Sequence, residues 1–125
     1  MSPDPTGDLE KLRAIALALP RAAEKISHGM PVFLIEGGKL FAQYWHDHHG
    51  DGRSAVMVKT SGPEWQALLI EADPDLHYRP AYIGHSGWIA IRTDHSRSDW
   101  DQLAAQVVAS WRLAAPAKLR EMVPE

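Results

Sequence analysis

The stretch "PVFLIEGGKLFAQYW", residues 31–45, decides the fold. Its two halves, Pro31–Glu36 and Lys39–Trp45, are rich in the β-branched and aromatic residues that favour strands. Gly37-Gly38 between them predicts a hairpin turn of two residues. A third run of this kind, Ser54–Thr60, follows, so the sequence predicts three consecutive antiparallel strands. Because apolar residues occupy both faces, we expect the sheet to be covered on one face and partly shielded on the other.

A helix is predicted before these strands, over Gly7–Leu19, because apolar residues recur there at helical spacing. Pro20 ends that pattern. The next segment, Pro20–Met30, is interpreted as a connector, with a helical turn expected at Ala22–Lys25. The sequence therefore predicts no strand before residue 31.

A second helix is predicted after the three strands, over Pro63–Glu71. Ser61 and Glu64 stand at the spacing of a capping box, in which each side chain hydrogen-bonds a main-chain N–H at the helix start. The residues that this helix is expected to bury are Trp65, Leu68 and Leu69.

The C-terminal third predicts one more strand and one more helix. Trp88–Arg92 is the strand, with Ile89 and Ile91 on one face. The helix spans about Asp99–Ala114, and Ser98 with Asp101 predicts its cap. Pro116 ends it.

The order helix, three strands, helix, strand, helix is not the alternation that builds a parallel sheet. It predicts an α+β fold, an antiparallel β-sheet flanked by helices. A length of 125 residues suits one domain, residues 1–125, and we expect flexible ends at 1–6 and 121–125.

Composition excludes several classes of function. The chain has no cysteine, which excludes disulfides, thiolate zinc sites and cysteine nucleophiles. No apolar run approaches the roughly 18 residues of a membrane span, and the polar N-terminus does not resemble a secretory signal. We therefore expect a soluble cytoplasmic protein. A net charge of −3 argues against strong non-specific binding to nucleic acid, although a local basic face remains open.

The loop "YWHDHHGDGR", residues 44–53, concentrates side chains that bind metals. Imidazoles and carboxylates are ligands for zinc, nickel and copper. A structural zinc site needs about four rigidly held ligands, however, and the glycines here suit a turn equally well. We expect no resident metal and interpret the loop as the tip of a long hairpin, with Arg53 its best contact for a partner. Whether a metal binds at His46, His48 and His49 is left open.

The segment "AYIGHSGWIAIR", residues 81–92, is the stronger candidate site. Two glycines that bracket a polar pair predict a tight turn, whose main-chain amides can bind an anion or a phosphate. The alternative is an ordinary turn in which Trp88 anchors the core. The nearby Arg79 and Arg92 can add donors in the first case.

Lysines at Lys39 and Lys59 allow two interpretations. They are solvated charges at the edges of strands, or they form a basic face for phosphates together with Arg79, His85 and Arg92. The sequence contains no Ser-His-Asp signature, phosphate-binding Walker loop or HExxH motif, so we expect no enzymatic activity, no catalytic residues and no cofactor.

Three stretches together resemble the MmcQ/YjbR family. They are "LALPRAAEKISHGMPVFLIEGGKLFA" (17–42), "VKTSGPEWQALLIEADPDLHYRPAYIGHSGWIAIRTD" (58–94) and "DWDQLAAQVVASWRLAAPAKL" (99–119). The resemblance implies a CyaY-like α+β fold and, through the "double wing" arrangement of this bacterial-type family, a DNA-binding domain. The resemblance, together with the positive charges that cluster near its motifs, predicts DNA or ligand contact for Lys39, Lys59, Arg79, Tyr82, His85, Trp88 and Arg92.

Two other functions remain open from the sequence. One is a small-ligand binder with a pocket around Tyr82, His85 and Trp88. The other is a protein-interaction module, because five tryptophans and a sheet that is apolar on both faces would permit a dimer interface. We expect a monomer or a weak homodimer, with DNA as the suggested partner and no membrane.

Overall fold

A computed structural model describes residues 7–46, 53–80, 83 and 86–123. It confirms the predicted α+β class, with one sheet of six antiparallel strands in the order β1-β2-β3-β4-β6-β5. None of the described helices combines the length and the apolar character that a membrane crossing requires. The elements are α1 Asp8–Ala16, β1 Ala22–Ser27, β2 Met30–Ile35, β3 Leu40–His46, β4 Ser54–Lys59, α2 Pro63–Ala72, β5 His77–Tyr78, β6 Trp88–Arg92, α3 Trp100–Ala114 and α4 Ala117–Arg120.

The interpretation of Pro20–Met30 as a connector with a helical turn is wrong, because this segment contains strand β1. His28 and Gly29 have φ angles of 52° and 80°. Positive φ at both central residues is what a two-residue type I′ hairpin requires. The turn therefore folds β1 directly back onto β2, and Ser27 faces Met30.

The turn between β2 and β3 is one residue longer than predicted. The Ile35 N–H donates to the Lys39 carbonyl at 3.0 Å, which leaves residues 36–38 in the loop. Gly37 has a φ of 72°, a conformation that glycine adopts without cost. The register then shifts beside Phe33, so the chain accommodates the extra residue as an irregularity in the strand pair.

The main core lies between the sheet and the helices. α1 and α3 contact β3, and the cluster there includes Leu12, Phe33 and Trp111, each at most 1% exposed. Ser110 of α3 fixes the helix to two strands, because its hydroxyl donates to the Phe41 carbonyl at 2.6 Å and accepts from the Lys59 N–H at 2.9 Å. The position of Lys59 is therefore set by α3 as well as by the sheet.

The opposite face of the sheet holds a second, smaller cluster. It contains Trp45, Met57 and Trp88, none more than 7% exposed, and Tyr78 and Ile83 pack against it. Tyr44 belongs to the main core while its neighbour Trp45 belongs to this cluster, as the alternation of a strand requires. Both faces of the sheet are thus covered, by helices on one side and by aromatic side chains and Ile83 on the other.

Helix α2 occupies the predicted span but presents a different face. Trp65 and Leu68 are 46% and 55% exposed, so the prediction that they are buried is wrong, whereas Leu69 packs against the main core. Gln66 is buried instead, at 2% exposed, because its amide donates to the Trp88 carbonyl at 2.5 Å. This hydrogen bond sets the rotation of the helix about its axis.

The predicted helix caps are displaced by one residue each. The cap of α2 is Gly62, with no side-chain hydrogen bond, so the Ser61–Glu64 capping box is wrong. The cap of α3 is Asp99, whose carboxylate accepts from the N–H groups of Asp101 and Gln102. Ser98 is not the cap, because its hydroxyl donates to the Arg92 carbonyl at 2.7 Å.

Candidate nucleic-acid interface

Two of the predicted contact lysines lie at the same end of the sheet. Lys39 directly precedes β3, and Lys59 is the last residue of β4. These strands are antiparallel, with Ala42 opposite Val58, so the start of β3 lies beside the end of β4. Neighbouring strands are about 4.8 Å apart, which brings the two lysine backbones to roughly 10 Å of each other.

Two arginines extend this end of the sheet on both sides. Arg79 directly follows β5. Because Tyr78 of β5 faces Ala90 of β6 in an antiparallel pair, the chain at Arg79 runs toward the end of β6 that Trp88 begins, and Trp88 faces Lys59. On the other side, the Arg21 carbonyl accepts from the Glu36 N–H at 2.8 Å, which places Arg21 beside the β2–β3 turn. We define the basic end of the sheet as Arg21, Lys39, Lys59 and Arg79.

The basic end differs from Arg13, Arg92 and Arg97, whose charges are balanced by carboxylates. Within the described residues, its four cations have no carboxylate partner at ion-pair distance. Arg13, by contrast, pairs with Glu24 at 2.8 Å and also with Glu10, and these hydrogen bonds raise its pKa. Arg97 pairs with Asp73 at 2.8 Å, and this hydrogen bond lowers the pKa of Asp73 to about 2. The charge of the basic end is therefore available to a ligand.

Arg92 does not join this group, although the sequence placed it in the same basic face. It faces Ala55 at the far end of β4, whereas Trp88 faces Lys59. A separation of four residues along a strand is about 13 Å. The Arg92 guanidinium also donates to the Asp94 carboxylate at 2.9 Å, and this hydrogen bond raises the pKa of Arg92.

Gly87, in the glycine-rich segment, is held next to Lys59 by hydrogen bonds to Thr60. The Gly87 carbonyl accepts from both the N–H and the hydroxyl of Thr60, at 2.9 Å and 2.7 Å. Gly87 has a φ of 89°, so its backbone takes the left-handed conformation that a side chain would strain. Trp88 is 7% exposed in the second cluster. The other two candidate residues of this segment, Tyr82 and His85, lie outside the described residues.

A cleft of about 500 Å³ adjoins the basic end. Arg21 and Lys39 line one side of it, and Leu113 and Leu119 of α3 and α4 line the other. Helix α4 carries two more cations, Lys118 and Arg120. A second cleft, of about 180 Å³, is lined by Lys59 and Trp65 and again by Leu113. Trp88 lines neither cleft.

The structure describes only the two ends of the histidine loop, residues 44–46 and residue 53. The Nδ1 atom of His46 lies 2.6 Å from the Ser54 hydroxyl, and the Arg53 guanidinium lies 4.7 Å from the ring centre of Tyr78. His48, His49 and Asp51 lie outside the described residues. Among the residues that are described, no three histidine or acidic side chains converge as a metal site would require.

One member of the basic end, Arg21, was not predicted from the sequence. Arg21 lies in the segment interpreted as a connector, and only the pairing of β1 with β2 brings it beside the β2–β3 turn. The signal in the sequence that could have revealed it is the pair His28-Gly29 between two short runs, since such a pair fits a type I′ turn and both residues have positive φ in the structure.

Comparisons with known proteins agree with this fold. The family model described as YjbR matches residues 17–113. The crystal structure of protein DR2400 from Deinococcus radiodurans, a protein with a DUF419 domain, is similar with a TM-score of 0.69 at 19% identity, over 84% of this chain and 76% of that one. No curated protein matches the chain. Because the family model covers most of the chain, from the end of α1 to the last turns of α3, this protein belongs to the YjbR family.

Proposed function

We propose that this protein is a non-enzymatic DNA-binding domain that contacts backbone phosphates through the basic end of the sheet. The observation that supports the proposal is the grouping of Arg21, Lys39, Lys59 and Arg79 at one end, without carboxylate partners among the described residues. Lysine and arginine contacts to phosphate oxygens supply most of the affinity of sequence-independent DNA binding. A cytoplasmic location belongs to the same proposal, since bacterial DNA lies there.

The dimensions of the basic end fit a stretch of duplex backbone. The four cations span the sheet from β1 to β5, which at about 4.8 Å per strand is roughly 24 Å. This length is less than one turn of B-DNA, so a single groove edge can engage all four. Two acidic residues, Glu36 in the β2–β3 turn and Glu64 at the start of α2, lie near the same end and reduce its potential. We therefore expect weak, strongly salt-dependent binding.

The alternative, a small-ligand pocket around Tyr82, His85 and Trp88, has less support. The indole of Trp88 is buried against Met57 and Ala90, and it lines neither cleft at the basic end. A side chain in that position stabilises the sheet rather than presenting a surface to a ligand.

Fluorescence anisotropy with a labelled duplex of about 20 base pairs tests the proposal. We expect binding at about 50 mM salt, with log K falling against log salt at a slope of roughly −3 to −4, because each phosphate contact contributes about −0.9. The double variant Lys39→Gln/Lys59→Gln reduces the magnitude of that slope by about 2.

A matched control removes the same charge elsewhere. Lys11 and Lys25 are exposed, on α1 and on the middle of β1, and Lys11→Gln/Lys25→Gln leaves the slope unchanged. Absence of binding at about 50 mM salt refutes the proposal, and so does an equal loss in both double variants, since only net charge would then matter.

A further inference from the structure

Strand β1 is an edge of the sheet, and its hydrogen-bonding pattern shows which groups face outward. The two-residue turn closes on the pair Ser27 and Met30, and the Arg21 carbonyl bonds the Glu36 N–H at 2.8 Å. In an antiparallel pair, alternate residues bond the neighbour. Odd-numbered residues of β1 therefore bond β2, and the even-numbered ones, Ala22, Glu24 and Ile26, direct their N–H and C=O groups away from β2.

The outward main-chain groups of Glu24 and Ile26 have no partner within the described part of the chain. The Ala22 N–H bonds the Leu19 carbonyl at 3.2 Å, but the main-chain groups of Glu24 and Ile26 make no hydrogen bond there. A row of unpaired groups on an edge strand is a template for pairing with another strand. β5, the opposite edge, offers only two residues, so β1 is the edge with the length to pair.

One side chain near the end of this edge, beside the turn to β2, is large and apolar. Ile26 is 65% exposed, one of the two most exposed of the large apolar side chains among the described residues. Edge strands that remain single commonly carry charges or proline to prevent pairing. Of the two charged residues of β1, Glu24 binds Arg13 within the same chain at 2.8 Å, so only Lys25 is left as a charge that is not held in an ion pair.

We propose that β1 pairs antiparallel with β1 of a second copy of this chain, across a two-fold axis at Ile26. In this register the Ile26 residues of the two copies face each other and exchange both main-chain hydrogen bonds. Lys25 then faces Ser27 of the second copy, and Glu24 faces His28, so no like charges oppose each other. The sheet becomes continuous across both copies, and the two-fold axis closes the assembly without leaving β1 open for further growth.

The neighbouring registers fit less well. A shift that centres the axis on Lys25 sets the two lysines opposite each other, which destabilises a strand pair. A shift that centres it on Glu24 sets two carboxylates together and places Ile26 opposite Ala22, which leaves much of the isoleucine exposed. In the Ile26 register the edge is complementary to itself, because isoleucine meets isoleucine and Glu24 meets His28, and this self-complementarity favours a second copy as the occupant and Ile26 as the axis.

Sedimentation equilibrium of the full chain tests the dimer, up to about 0.5 mM protein. We expect the mass to rise with concentration toward twice the monomer. Ile26→Lys and Ile26→Glu each raise the dissociation constant by about tenfold or more, since like charges then meet at the axis. An equimolar mixture of the two variants regains association, because lysine on one copy faces glutamate on the other.

The control is Met122→Lys, because Met122 is also 65% exposed and lies outside the sheet. This variant keeps the association of the parent chain, and circular dichroism of all variants remains unchanged because both positions are exposed. A parent chain that is monomeric at every concentration overturns the proposal. A dimer that persists in Ile26→Lys also overturns it. If the equimolar mixture of Ile26→Lys and Ile26→Glu fails to associate, the register centred on Ile26 is wrong. None of these outcomes depends on whether the chain binds DNA.

Discussion

Replacing Ser110 by alanine tests how the helical layer is attached to the sheet. The hydroxyl is 0% exposed and makes two hydrogen bonds, to the Phe41 carbonyl at 2.6 Å and from the Lys59 N–H at 2.9 Å. Alanine fills almost the same volume, so packing is retained and only the hydrogen bonds are lost. This one oxygen therefore hydrogen-bonds α3 to both β3 and β4.

The loss of stability follows from the two main-chain groups left behind. Each net hydrogen bond contributes about 1 kcal/mol, and a buried group without a partner costs about 1–3 kcal/mol, offset in part because no hydroxyl needs to be desolvated. We expect a decrease of about 2 kcal/mol in the free energy of unfolding. For a chain of 125 residues, at about 2.1 cal/mol/K per residue, this lowers Tm by roughly 8 °C.

Urea denaturation and differential scanning calorimetry measure both quantities. The matched control is Ser61→Ala, since Ser61 is exposed and makes no cap hydrogen bond to α2. We expect that variant to remain within about 0.5 kcal/mol of the parent chain. A similarly small change in Ser110→Ala would refute the reasoning, because the main-chain groups of Phe41 and Lys59 would then be satisfied in another way.

Three further predictions follow from individual contacts. Glu36→Gln removes a negative charge beside the basic end, so anisotropy titrations should show tighter DNA binding with an unchanged salt slope if the proposed interface is correct; weaker binding would contradict it. Because Arg97 lowers the pKa of Asp73 from 3.8 to about 2, their pairing stabilises the fold above pH 4 and is lost as the pH falls toward 2. Arg97→Gln should therefore have a lower Tm than the parent chain at pH 7 and an equal Tm near pH 2. If the difference in Tm between the two chains instead grew as the pH fell, the predicted pH dependence would be wrong. Asp99→Ala removes the cap of α3 and should cost about 1 kcal/mol in urea denaturation, whereas no change would show that the two N–H groups find other partners.

The strands of the central sheet were predictable because their signal is local. Runs 31–36, 39–45 and 54–60 each became a strand within one residue at either end, since alternation and β-branched residues depend on neighbours in the chain. The family resemblance agreed with the fold for the same reason, because its motifs mark these strands and the helices beside them. β1 was missed because "AAEKIS" has few strand-forming residues and its turn is His-Gly rather than the commoner Asn-Gly.

The candidate interface was predictable only in part. Lys39 and Lys59 were predicted to share a basic face, and the structure places them at one end of the sheet, because they adjoin strands that are neighbours both in sequence and in space; their contact with phosphates stays a prediction. Arg92 was grouped with them because it ends the strand that Trp88 begins, yet a strand of five residues carries its two ends about 13 Å apart. Arg21 was absent from the group because its strand was not foreseen.

The amino-acid sequence by itself determined the class of the fold, the central strands, the spans of α2 and α3 to within one residue at either end, and the absence of any cysteine chemistry. These features depend on composition and on the repeat of apolar residues within a single helix or strand. Only the tertiary structure decided which face of α2 is exposed, because the rotation of that helix is set by the hydrogen bond from Gln66 to the Trp88 carbonyl, 22 residues away in sequence. The tertiary structure likewise decided which cations share one end of the sheet and that β1 is an edge strand, with β2 as its neighbour on one side and no strand on the other among the described residues. These properties depend on which strands are neighbours, and long-range pairing leaves no periodic trace in the chain.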